Sequence, residues 1–209
     1  SGAPRVVGGI HLAGDPAARL ADVLGQLPFA EEVNALARAA YRDGRTFGEA
    51  FAALVGSLLA EYNLLLLDPL DPAIRSLARP LLAQVVEAAP DLVAALDRRG
   101  AELTAAGYHA QVHVEATHAP FFLLDGDQRL ALRLDGGIYT SRDARYTASE
   151  LIDSAERLSP NALLRPVVAD YLMPTVATVL GPAETAYMAQ SQVLYHALLG
   201  RTPVMVPRA

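Results

Sequence analysis

The chain contains no cysteine, no lysine and no tryptophan. The first absence excludes structural disulfides, thiolate-held zinc or iron–sulfur centres and a cysteine nucleophile. The second excludes a P-loop lysine, a Schiff-base lysine and a lysine general base. All 17 basic residues are arginine, so anionic groups on a ligand would be met by guanidinium groups or by helix N-termini. A GC-rich genome is the simpler cause of the deficit itself. Positive charge is the minority: 17 basic against 23 acidic residues give a net charge of −6, which argues against nonspecific nucleic-acid binding. No apolar run approaches the roughly 18 residues of a membrane helix, and no signal-peptide pattern opens the chain. A cytoplasmic protein with no membrane partner is expected. Neither a GxGxxG nor a P-loop pattern occurs, and Asp135-Gly136-Gly137 reads as a tight turn. What remains is 209 residues, 52% hydrophobic and 19% charged, the composition of a globular chain able to bury a sizeable core.

The most informative stretch is Leu158 to Gln190, LSPNALLRPVVADYLMPTVATVLGPAETAYMAQ. Ser159-Pro160 reads as an N-cap followed by proline at the first helical position, with Asn161 and Arg165 four apart on one helical face. Pro174 ends that helix. Thr175 to Leu180 suits a buried strand. Gly181-Pro182 opens the next helix, with Glu184 in its first turn and Tyr187 and Gln190 following at i+3 spacing. A strand running into such a helix start is where open α/β sheets bind ligands. A well-capped βα unit with a solvated arginine explains the same residues without any ligand.

Elsewhere, Thr46-Phe47-Gly48-Glu49 is a capping box. It opens a helix whose stripe Phe47, Phe51, Leu54, Val55, Leu58, Leu59 and Tyr62 predicts core. Leu64 to Leu67 reads as a doubly buried strand, Asp71-Pro72 as a helix start running to about Ala88, and Pro90 as the start of another helix through Ala105. Tyr108 to Glu115 alternates so that His109, Gln111 and His113 share one face. No third ligand accompanies the two histidines, so no metal is expected; the choice lies between a substrate-facing strip and a half-exposed strand. Phe121–Leu124 and Arg129–Leu134 flank a turn and read as a hairpin that joins Tyr108–Glu115 in a small antiparallel patch, about 108–146. Thr147-Ala148-Ser149-Glu150 is a second capping box, opening a helix to Leu158. Pro203 to Pro207 resembles a strand. Strands flanked by helices predict a single α/β domain over 1–209 with a parallel core.

The Leu158–Gln190 block resembles the bacillithiol-biosynthesis cysteine-adding enzymes, also called cysteine ligases. FGEAFAALVGSLLAEYNLLLLDPLDPAI, GYHAQVHVE and the terminal PVMVPR extend the likeness over most of the chain. One departure is Ala169, where the family tends to have glutamine before the aspartate. The resemblance implies a Rossmann-like parallel sheet core. It also implies a longer ligase of which this chain is the middle part, since the family's glycine-rich nucleotide-type motif and coiled coil are not found here. The implied reaction joins the carboxyl of cysteine to the amine of glucosaminyl-malate, with ATP or another nucleotide as an unidentified activator and this chain inactive alone. Asn161, Arg165 and the Gly181 helix terminus are expected to form an anion-binding corner. His109, Gln111 and His113 would line the opposite wall, and Glu184, Tyr187 and Gln190 would orient amine or sugar hydroxyls. No catalytic residue is assigned, and self-association is left open. The alternatives are a small-molecule or nucleotide-binding module without catalysis, and a structural domain whose polar clusters are caps and surface.

Overall fold

A computed structural model describes residues 4–142 and 144–208. The chain forms two compact units, Ser1–Asp71 and Pro72–Ala209. No helix among the described residues is long and apolar enough to cross a membrane.

In the first unit, α1 (Ala18–Leu24), α2 (Ala30–Ala40) and α3 (Phe47–Leu58) follow one another. The Thr46 box closes as predicted: Glu49 N–H donates to Thr46 Oγ1 at 3.2 Å and Thr46 N–H to Glu49 Oε2 at 2.8 Å. The stripe behind it does not become core. Phe47, Phe51, Leu58, Leu59 and Tyr62 are all exposed, and α3 ends at Leu58 before a 3-10 turn over Ala60–Tyr62. Leu64 to Leu67 is not a strand either; all four leucines are exposed in irregular backbone. Asn63, at φ 51°, breaks the chain into the left-handed region just before them, and no strand among the described residues pairs with them.

The second unit is built around α4, a continuous helix over Pro72–Ala105 with Pro80 and Pro90 inside it. The sequence reading split it at Ala88–Pro90. Continuity is favoured because Ala78, Leu81, Leu82, Val85, Val86, Ala89, Leu92, Val93 and Leu96 form one buried stripe at three- and four-residue spacing straight through Pro90. An internal proline deprives the carbonyl four residues earlier of its donor. For Pro90 that carbonyl is Val86, and the Tyr139 hydroxyl donates to it at 2.9 Å. Tyr139 is itself buried, and burial pushes its phenol up to about 12.

The main sheet runs β4-β3-β2-β1-β5, all antiparallel. Its strands are β1 (His118–Asp125), β2 (Gln128–Asp135), β3 (Ile138–Ser141), β4 (Ala144–Thr147) and β5 (Leu158–Pro160). The β1–β2 hairpin is the predicted one, with Asp125 opposite Gln128. Phe121, Leu123, Leu132 and Tyr139 are buried in one cluster with the α4 stripe. Thr147 then closes the second capping box with Glu150 and opens α5 (Ala148–Asp153), shorter than expected. Next, α6 (Arg165–Leu172) leads to β6 (Ala177–Leu180), α7 (Pro182–Leu199) and β7 (Val204–Pro207).

This corrects the expectation of a Rossmann-like parallel core. Among the described residues parallel pairing is confined to β6 and β7, which flank a strand–helix–strand crossover. Tight turns instead join β1–β2 and β2–β3, and a tight turn can only pair its strands antiparallel. Tyr108–Glu115 does not join the sheet; it is an unpaired extended segment. β6 is anchored by an ion pair buried at its acidic end: Asp170, 2% exposed, accepts from Arg201 Nη1 and Nη2 at 2.9 and 3.0 Å and from the Thr175 N–H at 2.6 Å.

Candidate functional site

The polar residues singled out in the sequence all lie in the second unit. Ser159 and Pro160 fall in β5, opposite Phe122 and Phe121, and do not cap a helix. The cap is Asn161. Its Oδ1 accepts from the N–H groups of Leu163 and Leu164 at 3.0 and 2.9 Å, while its own N–H continues the β5–β1 pairing to the Pro120 carbonyl at 2.9 Å. The Arg165 N–H then donates to the Asn161 carbonyl at 2.9 Å, which carries the chain into α6. Arg165 is exposed, and among the described residues no ion pair or side-chain hydrogen bond holds it.

At the start of α7 the Gly181 N–H donates to Glu184 Oε2 at 2.7 Å. A carboxylate of the chain's own therefore stands where an anionic ligand was expected, as in half of a capping box. Arg208 lies across the same glycine: a Cβ at Gly181 would sit 2.8 Å from its Nη2. That contact is with the far end of a flexible side chain, so a Cβ there would shift the guanidinium and not be barred by it.

Gln190 is fully buried, and its amide is used on the main chain of the segment before β1. Nε2 donates to the Val112 carbonyl and Oε1 accepts from the Val112 N–H, both at 2.9 Å. One side chain thus supplies the two hydrogen bonds that a neighbouring strand would supply. Val112 and Val114 pack against the core, whereas His109, Gln111 and His113 are exposed, so the alternation read from the sequence survives without a sheet. Tyr187, one turn earlier on α7, is half-buried against the same core.

Asn161 and His113 meet in a cleft whose apolar floor includes Val93 and Leu96 of α4, and whose rim adds Glu115 and His118. His118 Nδ1 lies 2.9 Å from Glu115 Oε2. The approach is off the line of a hydrogen bond, leaving Nδ1 without a bonded partner. The contact is therefore a charge contact, strongest with a protonated ring. His109 and Gln111 do not line this cleft, nor do Gly181, Glu184 and Tyr187. The sequence reading assigned no site role to Glu115 or His118; alternation carries no information past the turn at residues 116–117. It likewise missed Arg129, whose Nη2 donates to the Pro160 carbonyl at 2.8 Å beside Asn161. Among the described residues no three His, Asp or Glu side chains are grouped to hold a metal ion.

A family model described as "Bacillithiol biosynthesis BshC, N-terminal Rossmann-like domain" matches residues 5–209. A protein of Solibacter usitatus named "Putative cysteine ligase BshC" is 52% identical over 202 residues, covering 97% of this chain and 38% of its own length. Identically named proteins of Koribacter versatilis and Salinibacter ruber are 41% and 36% identical, covering 82% and 91% of this chain. They are matched over 33% and 36% of their own lengths. The chain spans little more than a third of these relatives.

Proposed function

The chain belongs to the bacillithiol-biosynthesis BshC family, and from that premise we propose that it supplies a substrate-holding wall of a cytoplasmic cysteine ligase. The observation that carries this reading is the identity of 52% over nearly the whole chain to a relative bearing that name. The reaction is the joining of the carboxyl of cysteine to the amine of glucosaminyl-malate. A free carboxylate does not acylate an amine, so the cysteine carboxyl has to be activated as an acyl-adenylate or acyl-phosphate; a nucleotide, when bound, would supply that leaving group. This chain's residues have simpler tasks, in keeping with chemistry that depends chiefly on positioning and charge.

Arg165, an exposed cation with no carboxylate paired to it among the described residues, is assigned to a malate carboxylate. The amine must lose a proton as its nitrogen bonds to the acyl carbon, and His113 and His118 on the cleft rim are the groups placed to accept it. Glu115 beside His118 stabilises the imidazolium that results. Asn161, Glu184 and Gln190 act through the backbone they hold, setting the entry to α6, the start of α7 and the segment bearing Gln111 and His113. Titration calorimetry with glucosaminyl-malate checks the reading. Saturable binding that weakens in His113→Ala is expected; absence of binding, both to this chain and to a longer protein containing it, overturns the proposal.

A further inference from the structure

We propose that Arg129 and Arg165 form a paired-guanidinium site for a small oxyanion, a carboxylate or a phosphate, beside the β5–α6 junction. Arg129 is held from two sides. Its guanidinium lies over the Phe122 ring, 3.9 Å from the centroid, and Nη2 donates to the Pro160 carbonyl at 2.8 Å. Its Nε is buried and has no hydrogen-bond partner. A buried donor left unmade costs free energy, so such a group in a finished structure calls for an explanation.

Arg165 stands close by, one helical turn after the Asn161 that follows Pro160. Burial lowers the Arg129 guanidinium pKa, and the charge of Arg165 lowers it further. Both remain cations, because an arginine does not lose its proton in a protein. The chain does not lack carboxylates to separate them. Arg157 pairs with Asp125 at 3.0 Å, Arg79 with Glu156 at 3.5 Å, Arg99 with Glu102 at 3.2 Å and Arg201 with Asp170. Among the described residues no carboxylate pairs with Arg129 or Arg165. Two neighbouring like charges without a counter-charge, in a protein of net charge −6, favour an anion between them. A planar or tetrahedral oxyanion matches two guanidinium forks, each able to donate two parallel hydrogen bonds.

The site rests on the ligase reading only for the identity of its ligand, since a malate group would bring carboxylates and an activated intermediate would bring a phosphate. The experiment titrates the chain separately with L-malate, inorganic phosphate and glucosaminyl-malate, at low salt to limit screening. Saturable binding of malate or phosphate is expected, weakened about tenfold or more in Arg165→Ala, as for loss of a charge-assisted pair of hydrogen bonds. Arg165 is exposed and unpartnered, so that variant keeps its fold. Arg129→Lys, checked by an unchanged melting temperature, retains the charge but loses the fork, and should weaken binding as well. Binding equal in wild type and Arg165→Ala, or binding of neither malate nor phosphate, overturns the site. If malate or phosphate binds through Arg165 while glucosaminyl-malate binds neither this chain nor a longer protein containing it, the anion site stands and the ligase reading falls. If glucosaminyl-malate binds indifferently to Arg165→Ala, the ligase reading stands and the anion site falls.

Discussion

The two units use the same device to start a helix and differ in what lies behind it. Thr46 with Glu49 in the first and Thr147 with Glu150 in the second close identical capping boxes. In the second unit, the elements that follow bury Leu, Val, Phe and Tyr side chains in one continuous cluster. In the first, the buried apolar residues are Ala17, Ala40 and Ala50, while phenylalanines and leucines stand exposed. An amphipathic pattern decides that a segment is helical and which side is apolar. It does not supply the second apolar surface that turns a stripe into a core. In the second unit α4 finds that surface on the β1–β3 sheet face and on α6 and α7.

The largest expected effect breaks this comparison at its charges. Arg201→Ala leaves the Asp170 carboxylate buried without its partner and should cost about 3–5 kcal/mol. Arg38→Ala removes the half-exposed pair to Asp15 at 3.4 Å in the first unit, and about 0–1 kcal/mol is expected. Denaturant unfolding of the two variants measures the difference. Next, Leu96→Ala should cost about 2–5 kcal/mol as a buried cavity, whereas Phe51→Ala, exposed on α3, should stay within about 0.5 kcal/mol. Equal costs for that second pair would erase the contrast between the units.

Tyr139→Phe tests the repair of Pro90. Removing the hydroxyl strands the Val86 carbonyl, an expected loss of about 1–3 kcal/mol visible as a lower melting temperature. The same phenol, with that of Tyr195, gives a pH signature. Burial raises both to about 12, with Asp170 adding to the shift at Tyr195. A neutral acid favoured by folding contributes stability below its unfolded value near 10.0, and that contribution is lost as pH rises toward 12. Of the 8 tyrosines, these two should ionise last in an ultraviolet titration, and only as the second unit opens.

The smallest effects sharpen the comparison by being equal. Thr46→Ala and Thr147→Ala should each cost about 1 kcal/mol, since a cap acts locally. Glu49 and Glu150 are both held below the ordinary value of 4.5, first by their hydrogen bonds from the backbone N–H of Thr46 and Thr147. Their contribution is present above that value and fades as pH falls through the lowered one. Helicity measured on acidification should therefore fall at both starts together.

Local chemistry was the legible part of the sequence. Both capping boxes, the β1–β2 hairpin and the strand after Gly200 could be read because each depends on residues a few positions apart; so could the place of the strand before Gly181, but not its burial, since Leu180 alone of that strand is buried. Pairing partners were not legible. Leu64 to Leu67 has the composition of a strand without a neighbour, and Ser159-Pro160 has the look of a cap but is taken by β1. Pro90 looked like a break because its compensating donor, Tyr139, lies 53 positions in sequence from the Val86 carbonyl it serves. At the candidate cleft, Asn161 and His113 could be named because each lies in a compact local pattern; Arg165, named with them, does not line it. Glu115, His118 and Arg129 could not be named, since what places them is a turn and a sheet register.

The Gln190 amide carries a consequence for the segment it grips. A strand embedded in a sheet is kept from slipping by many rungs; residues 108–115 have one, at Val112. Because neighbouring side chains of an extended chain point to opposite sides, a slip by a single position would exchange every inward and outward residue. Val112 and Val114 would turn to water, and His109, Gln111 and His113 would be driven against the core. The parity of the histidine strip is thus held by one glutamine in α7 together with the burial of Val112 and Val114, and a change at position 190 would loosen the strip without touching a single one of its residues.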